Sequence, residues 1–358
     1  MPRPTVARID LEALRHNYST ACQRAGNARV MAVVKADGYG HGIARVASAL
    51  ADLAPKYAVA CLEEAVAIRE AGLAQPVVLL QGVHAETDLA NCAEQGFEPV
   101  LHSWQQLTWL ADSRNRPRLW LKVNSGMNRL GFHPEELANV MQRLDRAGAL
   151  ATFEGFVTHF ACADDVDSSM TARQTEVFEQ ATAAWPDRMR SVGNSAAHFL
   201  PGQPLYDWSR PGIMLYGGSP MIGKTGRQLG LEPVMSLEAP LISTRMVPAG
   251  ESVGYGASWV ADRDTRMGMV AIGYGDGYPR HAGTNTPAAI NGQRIRLIGR
   301  VSMDMLAVDL TGAPDAKEGD SVELWGSTVG VDEVATYAGT IAYELLTGIT
   351  ARVRRQYR

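Results

Sequence analysis

A lysine at the end of an apolar run is the first residue in this chain that asks for a chemical reading. Residues 30–34 read VMAVV, apolar enough for a fully buried strand, and Lys35 follows directly. A surface lysine can snorkel from such a place, but a partly desolvated one loses its proton and becomes the amine that attacks a carbonyl. Gly38, Gly40 and Gly42 alternate behind it with Tyr39 and His41, more glycine than a plain surface loop requires. Lys122, His159, the pair Asn194-Ser195 and Arg210 also stand at or beside the ends of β-rich runs. Singly, these read as a solvated lysine, a satisfied core histidine, a helix N-cap and a surface ion-pair partner. Together they are the types that bind an anion and a carbonyl cofactor.

The elements that must position them are legible as alternation. Strands are expected near 29–34, 57–60, 76–80, 97–101, 118–123, 153–158, 188–192 and 213–216, with helical patterns such as 63–71 and 134–147 between them. The first of these helices opens LEEAVAIREAG, acidic in its first turn and stopped at Gly72. Eight strands alternating with helices predict a (β/α)8 barrel, with an open doubly wound sheet as the alternative. In a barrel the strand ends converge at the C-terminal mouth, where active sites are built. Lys35 would end strand one, Lys122 strand five and His159 strand six; Asn194-Ser195 would follow strand seven and Arg210 precede strand eight. After about residue 230 the helical pattern nearly vanishes. Runs at 241–247, 267–272, 294–298, 305–310 and 321–325, separated by Gly, Pro, Asn and Asp turns, predict a mostly-β domain with one late helix near 331–338. The expected division is 1–230, a cofactor-binding barrel, and 231–358, a β domain.

Composition narrows the function classes. The chain has 358 residues, 46% hydrophobic and 20% charged, with a formal charge of -4. That is ordinary globular material with room for two domains. Its 34 basic and 38 acidic residues give no basic footprint for nucleic acid. No apolar run reaches the roughly 20 residues that span a bilayer, and the N-terminus lacks the apolar core of a secretory signal. Cys22, Cys61, Cys92 and Cys162 are scattered, with neither a CxxC pair nor metal-ligand spacing. They read as reduced core thiols of a cytoplasmic protein, and no metal is expected.

Five separated stretches carry a family resemblance: AVVKADGYGHG (32–42), WLKVNSGMNRLGF (120–132), VTHFACAD (157–164), WSRPGIMLYG (208–217) and SVGYGASW (252–259). GYGDGYPR (273–280) and GRVSMDMLAVDL (299–310) extend it. In order and in layout the chain closely resembles the bacterial alanine racemases, pyridoxal phosphate enzymes of fold type III with a barrel and a C-terminal β domain. The resemblance implies interconversion of L- and D-alanine by two-base proton transfer at Cα of the pyridoxal phosphate aldimine. It would supply D-alanine for peptidoglycan or serve alanine breakdown.

It also implies roles. Lys35 becomes the Schiff-base lysine and one of two acid/base groups; a rigid strand end gives it one fixed position. Tyr39, Ser195 with its neighbour Asn194, the backbones of Gly212 and Ile213, and Tyr343 would hold the cofactor phosphate, and His159 would lie against the pyridine ring. Arg210 would face the ring nitrogen; being always protonated, it leaves that nitrogen without a proton and shortens the life of the carbanion. Tyr255, between Gly254 and Gly256, would be the second base, reaching the cofactor of a partner subunit in a head-to-tail homodimer. Arg129 would hydrogen-bond the Tyr255 hydroxyl or the substrate carboxylate, and the backbone N–H of Met303 would meet that carboxylate. Lys122 matches the lysine that some members carry as a carbamate, although the family usually reads KxDTGM where this chain has Lys122-Val123-Asn124-Ser125-Gly126-Met127.

Two other readings stay open: an amino-acid decarboxylase of the same fold type, and a non-catalytic pyridoxal phosphate carrier. The first would dispense with Tyr255 and Arg129, against the GYGASW and MNRLGF matches. The second would not need the β domain after residue 230.

Overall fold

A computed structural model describes residues 4–358, so the first three residues of the expected barrel unit lie outside the described residues. Eight parallel strands close into a barrel: β2 (Arg29–Val33), β3 (Lys56–Val59), β4 (Val77–Leu79), β5 (Phe97–Leu101), β6 (Leu119–Lys122), β7 (Phe153–Val157), β8 (Met189–Ser191) and β9 (Trp208–Ser209). Closure comes from β9 pairing with β2, Arg29 opposite Trp208 and Val30 opposite Ser209. The barrel reading holds and the open sheet does not.

The eighth strand is not where the sequence predicts it. Residues Ile213–Tyr216 form a fully buried 3-10 turn, and the strand is the two-residue β9 upstream. A short, wholly apolar run has no periodicity that separates a buried strand from a buried turn, and IMLY is such a run. The correction moves Arg210 from before the last strand to just after it. It therefore stands at the same C-terminal mouth as the other candidates.

The N-terminal strand β1 (Val6–Ile9) belongs to the other sheet. It lies between β10 (Met235–Val247), to which it is antiparallel, and the last strand of the chain, β18 (Arg354–Tyr357), to which it is parallel. Strands β13 (Thr265–Val270), β14 (Pro287–Ile290), β15 (Gln293–Ile298), β16 (Leu306–Asp309) and β17 (Ser321–Trp325) complete that eight-stranded sheet, and a β10–β13 pairing curls it on itself. A small hairpin, β11 (Ser252–Val253) and β12 (Trp259–Val260), projects from it. The expected late helix is Val331–Ala338, joined by a second, Ala342–Thr347. Among the described residues no helix is long and apolar enough to cross a membrane.

The N-terminal end of the barrel is plugged by a buried ion pair. Lys56 Nζ lies 2.5 Å from Glu98 Oε2, which also accepts the indole N–H of Trp120 at 2.8 Å. The ammonium sits over the rings of Trp120 and Trp208. Pairing, hydrogen bonding and aromatic faces together compensate two charges that are otherwise too costly to bury. The opposite end is left open.

The two units pack directly against each other. Gly40 meets the backbone of Leu346 so closely that a Cβ there would collide with the Leu346 carbonyl, and Arg355 Nε donates to the Gly40 carbonyl at 2.7 Å. The helix Ala342–Thr347 thus seats on the segment that follows Lys35.

Candidate active site

At the open mouth the chain after β2 does something rare. Ala36, Asp37, Gly38 and Tyr39 all have φ between 52° and 61°, a full turn of left-handed helix that includes three non-glycine residues. Each L-residue there costs roughly 1–2 kcal/mol, so surrounding contacts must impose the turn. Those contacts are specific. Glu64 Oε1 accepts from Ala36 N–H at 2.6 Å, and its other oxygen accepts from Ala60 N–H. Asp37 Oδ1 accepts from Ile43 N–H at 2.9 Å. His41, fully buried, places Nδ1 2.8 Å and 3.0 Å from the carbonyls of Tyr39 and Gly38. The turn reverses direction within a few residues and returns Tyr39 to the mouth. There its ring stacks on Tyr216 at 4.6 Å and approaches Tyr343 at 6.2 Å.

A cavity of about 830 Å³ fills this mouth. Its walls include Lys35, Tyr39, Lys122, Arg129, His159, Asn194, Ser195, Arg210, Gly212, Ile213 and Tyr343, so the structure brings together all but two of the predicted residues. Tyr343 arrives from the C-terminal unit, on the helix Ala342–Thr347. The two outliers are Tyr255 and Met303. Both stand on the β unit's surface, 72% and 53% exposed, and neither lines this cavity.

Cations dominate the wall, on which Glu344 is the one carboxylate among the lining residues. Lys35, Lys122, Arg129 and Arg210 face one space. Burial, then Arg129, pulls the Lys35 ammonium below its ordinary pKa, against a partial lift from Glu64. Lys122 is pushed much further down, first by burial and then by Arg210, Arg129 and Lys35. Burial and the same cations hold His159 neutral. Arg210 is lowered by burial to about 10 and stays charged. Its guanidinium donates to Ser191 Oγ, to the Thr158 carbonyl at 2.6 Å and to the Val192 carbonyl at 3.4 Å.

On the adjacent wall, Ser195 Oγ accepts from the N–H groups of Gly212 (2.8 Å) and Met214 (3.4 Å). The helix-capping contact expected of Ser195 is made instead by Asn194, whose Oδ1 accepts from Ala197 N–H at 3.1 Å. Gly212 has no room for a side chain, since a Cβ would meet Tyr39 Oη, with Cζ 2.9 Å away. Asn124 accepts from Gly126 N–H (3.2 Å) and Asn128 N–H (3.0 Å) and so folds the loop that carries Arg129. The amide supplies the acceptor a carboxylate would, without its charge.

Pyridoxal phosphate fits this cavity on its own terms. Converging, mutually repelling cations are relieved by a multiply anionic guest, and hydroxyls with backbone N–H groups suit a phosphate. A lysine held toward its neutral amine suits an aldehyde. Sequence reasoning missed Glu64, Ser125, Thr158 and Ser191 as contributors. Glu64 reads only as a first-turn acid, and hydroxyls inside β-rich runs carry no signal of their own.

The turn that bears Tyr255 is built for display. Gly254 and Gly256 have φ of 78° and 72°, and the segment packs on Arg300. Met303 lies in the next loop, where its carbonyl accepts from Gly275 N–H at 2.9 Å and Asp304 pairs with Arg352 at 2.6 Å. Tyr274 and Met305 are also exposed nearby.

Comparison with known proteins agrees with this layout. The model for "Alanine racemase, N-terminal domain" matches residues 9–220, and that for "Alanine racemase, C-terminal domain" matches 234–357. An alanine racemase of Marinobacter nauticus is 71% identical over 355 residues, 99% of each chain. One from Hahella chejuensis is 48% identical, over 99% of this chain and 98% of the relative. The biosynthetic alanine racemase of Pseudomonas aeruginosa superposes with a TM-score of 0.95 at 45% identity, 99% of each chain covered. A Bartonella henselae alanine racemase with covalently bound pyridoxal phosphate gives 0.89 at 30% identity, with both chains fully covered. On a shared barrel, a shared β domain and near-complete coverage, the chain belongs to the alanine racemase family.

Proposed function

We propose that this chain interconverts L-alanine and D-alanine, with pyridoxal phosphate held at Lys35. The carrying observation is the convergence of Lys35, Tyr39, His159, Ser195 and a charged Arg210 on one cavity at the barrel mouth. When bound, the cofactor supplies the electron withdrawal that acidifies Cα of an attached amino acid. Lys35 holds the cofactor covalently and moves a proton at one face of Cα; its depressed pKa suits both tasks. Tyr39, Asn194, Ser195, Gly212, Ile213 and Tyr343 cradle the phosphate. His159 packs beside the ring. Arg210, fixed by one hydroxyl and two carbonyls, meets the ring nitrogen as a donor that has no proton to lose at neutral pH.

The opposite face of Cα needs a second base. Tyr255 has the chemistry, and its exposure supports delivery to a second copy of the chain instead of its own cavity. The protein then works as a homodimer in which the barrel of one copy meets the β unit of the other, the unit whose sheet also takes in Val6–Ile9. Arg129 and the N–H of Met303 hold the substrate carboxylate. Lys122, driven toward the neutral amine, is in the state that adds carbon dioxide, and a carbamate there would offset the surrounding cations. All four cysteines are free thiols, in keeping with a cytoplasmic setting.

Borohydride tests the assignment at its base. Reduction of the cofactor-loaded protein should fix a pyridoxyl group on Lys35, and Lys35→Ala should lose the visible absorption. Label recovered on Lys122 instead would remove Lys35 from its role.

A further inference from the structure

Behind the cavity lies a buried polar chain that none of these roles uses. Gln174, in the middle of the helix Met170–Thr182, has no exposed surface. Its side chain ties together two pieces of the barrel mouth, the segment after β7 and the loop after β6. Oε1 accepts from Ala161 N–H at 2.8 Å; Nε2 donates to the His159 carbonyl at 3.0 Å and to Ser125 Oγ at 3.3 Å. Two partners of fixed sense fix the amide, because a flipped one would set N–H against N–H at Ala161 and oxygen against oxygen at His159.

The chain of bonds continues with one possible direction. Thr158 Oγ1 donates to the Val123 carbonyl at 2.9 Å, which uses its only proton. Ser125 Oγ must then be the donor in its 2.8 Å contact with Thr158 Oγ1. Polarity therefore runs from Gln174 through Ser125 and Thr158 to Val123. Thr158 is the node: its hydroxyl is locked by this chain, and its own carbonyl is the one that receives Arg210 Nη2 at 2.6 Å.

We infer that Gln174 is a positioning residue for Arg210 and His159, holding residues 158–161 in the one arrangement that aims both side chains at the cofactor. The inference rests on the reading of those two side chains as the cofactor's neighbours. Gln174 itself touches neither cofactor nor substrate. It acts on Arg210 through Ser125 and Thr158, and on His159 through that residue's own carbonyl. A buried network with every member satisfied is rigid, and removing one member frees the rest.

Gln174→Met keeps length and volume while deleting all three bonds. Ser125→Ala cuts only the branch toward Arg210, and it decides the matter should the first variant fail to fold. Hydrogen exchange of the unloaded protein is read at the amides of Thr158 and Arg210, which bond to Ser191 and Gly193 and not to Gln174. In both variants exchange at these amides should speed up about tenfold over the parent protein while the amides of β3 stay near their parent rates, the size expected for one lost buried bond. In Gln174→Met the cofactor-loaded protein should also divert several-fold more turnovers to transamination, as Arg210→Glu should, its carboxylate allowing the ring nitrogen to take a proton. A merely structural glutamine would speed exchange everywhere alike and leave that partition unmoved. Exchange at Thr158 and Arg210 that tracks β3 in both variants overturns the inference. If Arg210→Glu leaves the partition unchanged, the reading of Arg210 falls, and the exchange result still decides whether Gln174 holds it.

Discussion

Replacing Gly212 with alanine perturbs the site through one contact whose size can be worked out. The added Cβ would press on Tyr39 Oη, with Cζ 2.9 Å and Cε2 3.5 Å away, where an ordinary carbon contact needs about 3.5–4.0 Å. Tyr39 has little freedom to yield. It is buried, stacked on Tyr216, and anchored by a left-handed turn. Overpacking of this kind costs about 1–3 kcal/mol, which is roughly a 5- to 150-fold loss of cofactor affinity if the displaced group is the phosphate's hydroxyl donor. The assay is pyridoxal phosphate titration, followed by absorbance, of four proteins: the parent, Gly212→Ala, Tyr39→Phe and the double variant. Tyr39→Phe removes the atom that clashes most, so Gly212→Ala should cost at least about 1 kcal/mol less in that background. Any backbone penalty of alanine at position 212 is common to both backgrounds and cancels. Equal penalties with and without the Tyr39 hydroxyl would refute the packing described here.

Three further outcomes follow from the same structure. Glu98→Ala leaves Lys56 charged and buried at the closed end of the barrel, and should lower unfolding free energy by about 3–5 kcal/mol in urea titration. Ala36→Gly relieves a left-handed alanine at an exposed position. It should be neutral or stabilising by up to about 1 kcal/mol, where glycine in an ordinary helix destabilises, and a loss above about 1 kcal/mol would show the turn is not strained there. Burial holds His41 and His198 at about 4, so between pH 6.5 and 4 the unfolded chain binds more protons than the folded one. The contribution of these two histidines to the stability of the unloaded protein should therefore be full above pH 6.5 and be lost toward pH 4, by about 3 kcal/mol per histidine; a flat urea midpoint from pH 7 to 4.5 would contradict it.

Where the sequence was legible, one physical signal dominated. Buried parallel strands are continuous apolar runs, and VMAVV before Lys35 is the plainest case. The same signal misled at IMLY, where burial on all sides erased the difference between strand and turn. Lys35, Arg210 and their neighbours could be found because barrel topology sends every strand end to one mouth. What the sequence could not show is what holds them. The left-handed turn arises from Glu64, Asp37 and His41 acting on backbone groups, and nothing in KADGYGHG announces its hand. Gln174 sits in a helix whose pattern gives no hint that its amide reaches the segments after two strands, β6 and β7. Tyr255 and Met303 were nameable only by resemblance, since both are exposed and neither lines the cavity that gathers the other candidates.

That last point sets up a mixing test. Lys35→Ala and Tyr255→Phe proteins should each be nearly inactive, because one lost acid/base group costs about 10²–10⁴-fold. Exchanged into mixed dimers they should regain activity, since one of the two sites then holds both native residues. No recovery after verified exchange would place both bases in one subunit.

The central claim is the reaction itself. Purified protein loaded with pyridoxal phosphate should be given L-alanine in deuterated water and the products separated by chirality. The account predicts D-alanine carrying deuterium at Cα, approach to equal amounts of the two enantiomers, and the same end point from D-alanine. Release of carbon dioxide with ethylamine, or L-alanine recovered unchanged beside a bound cofactor, would contradict it.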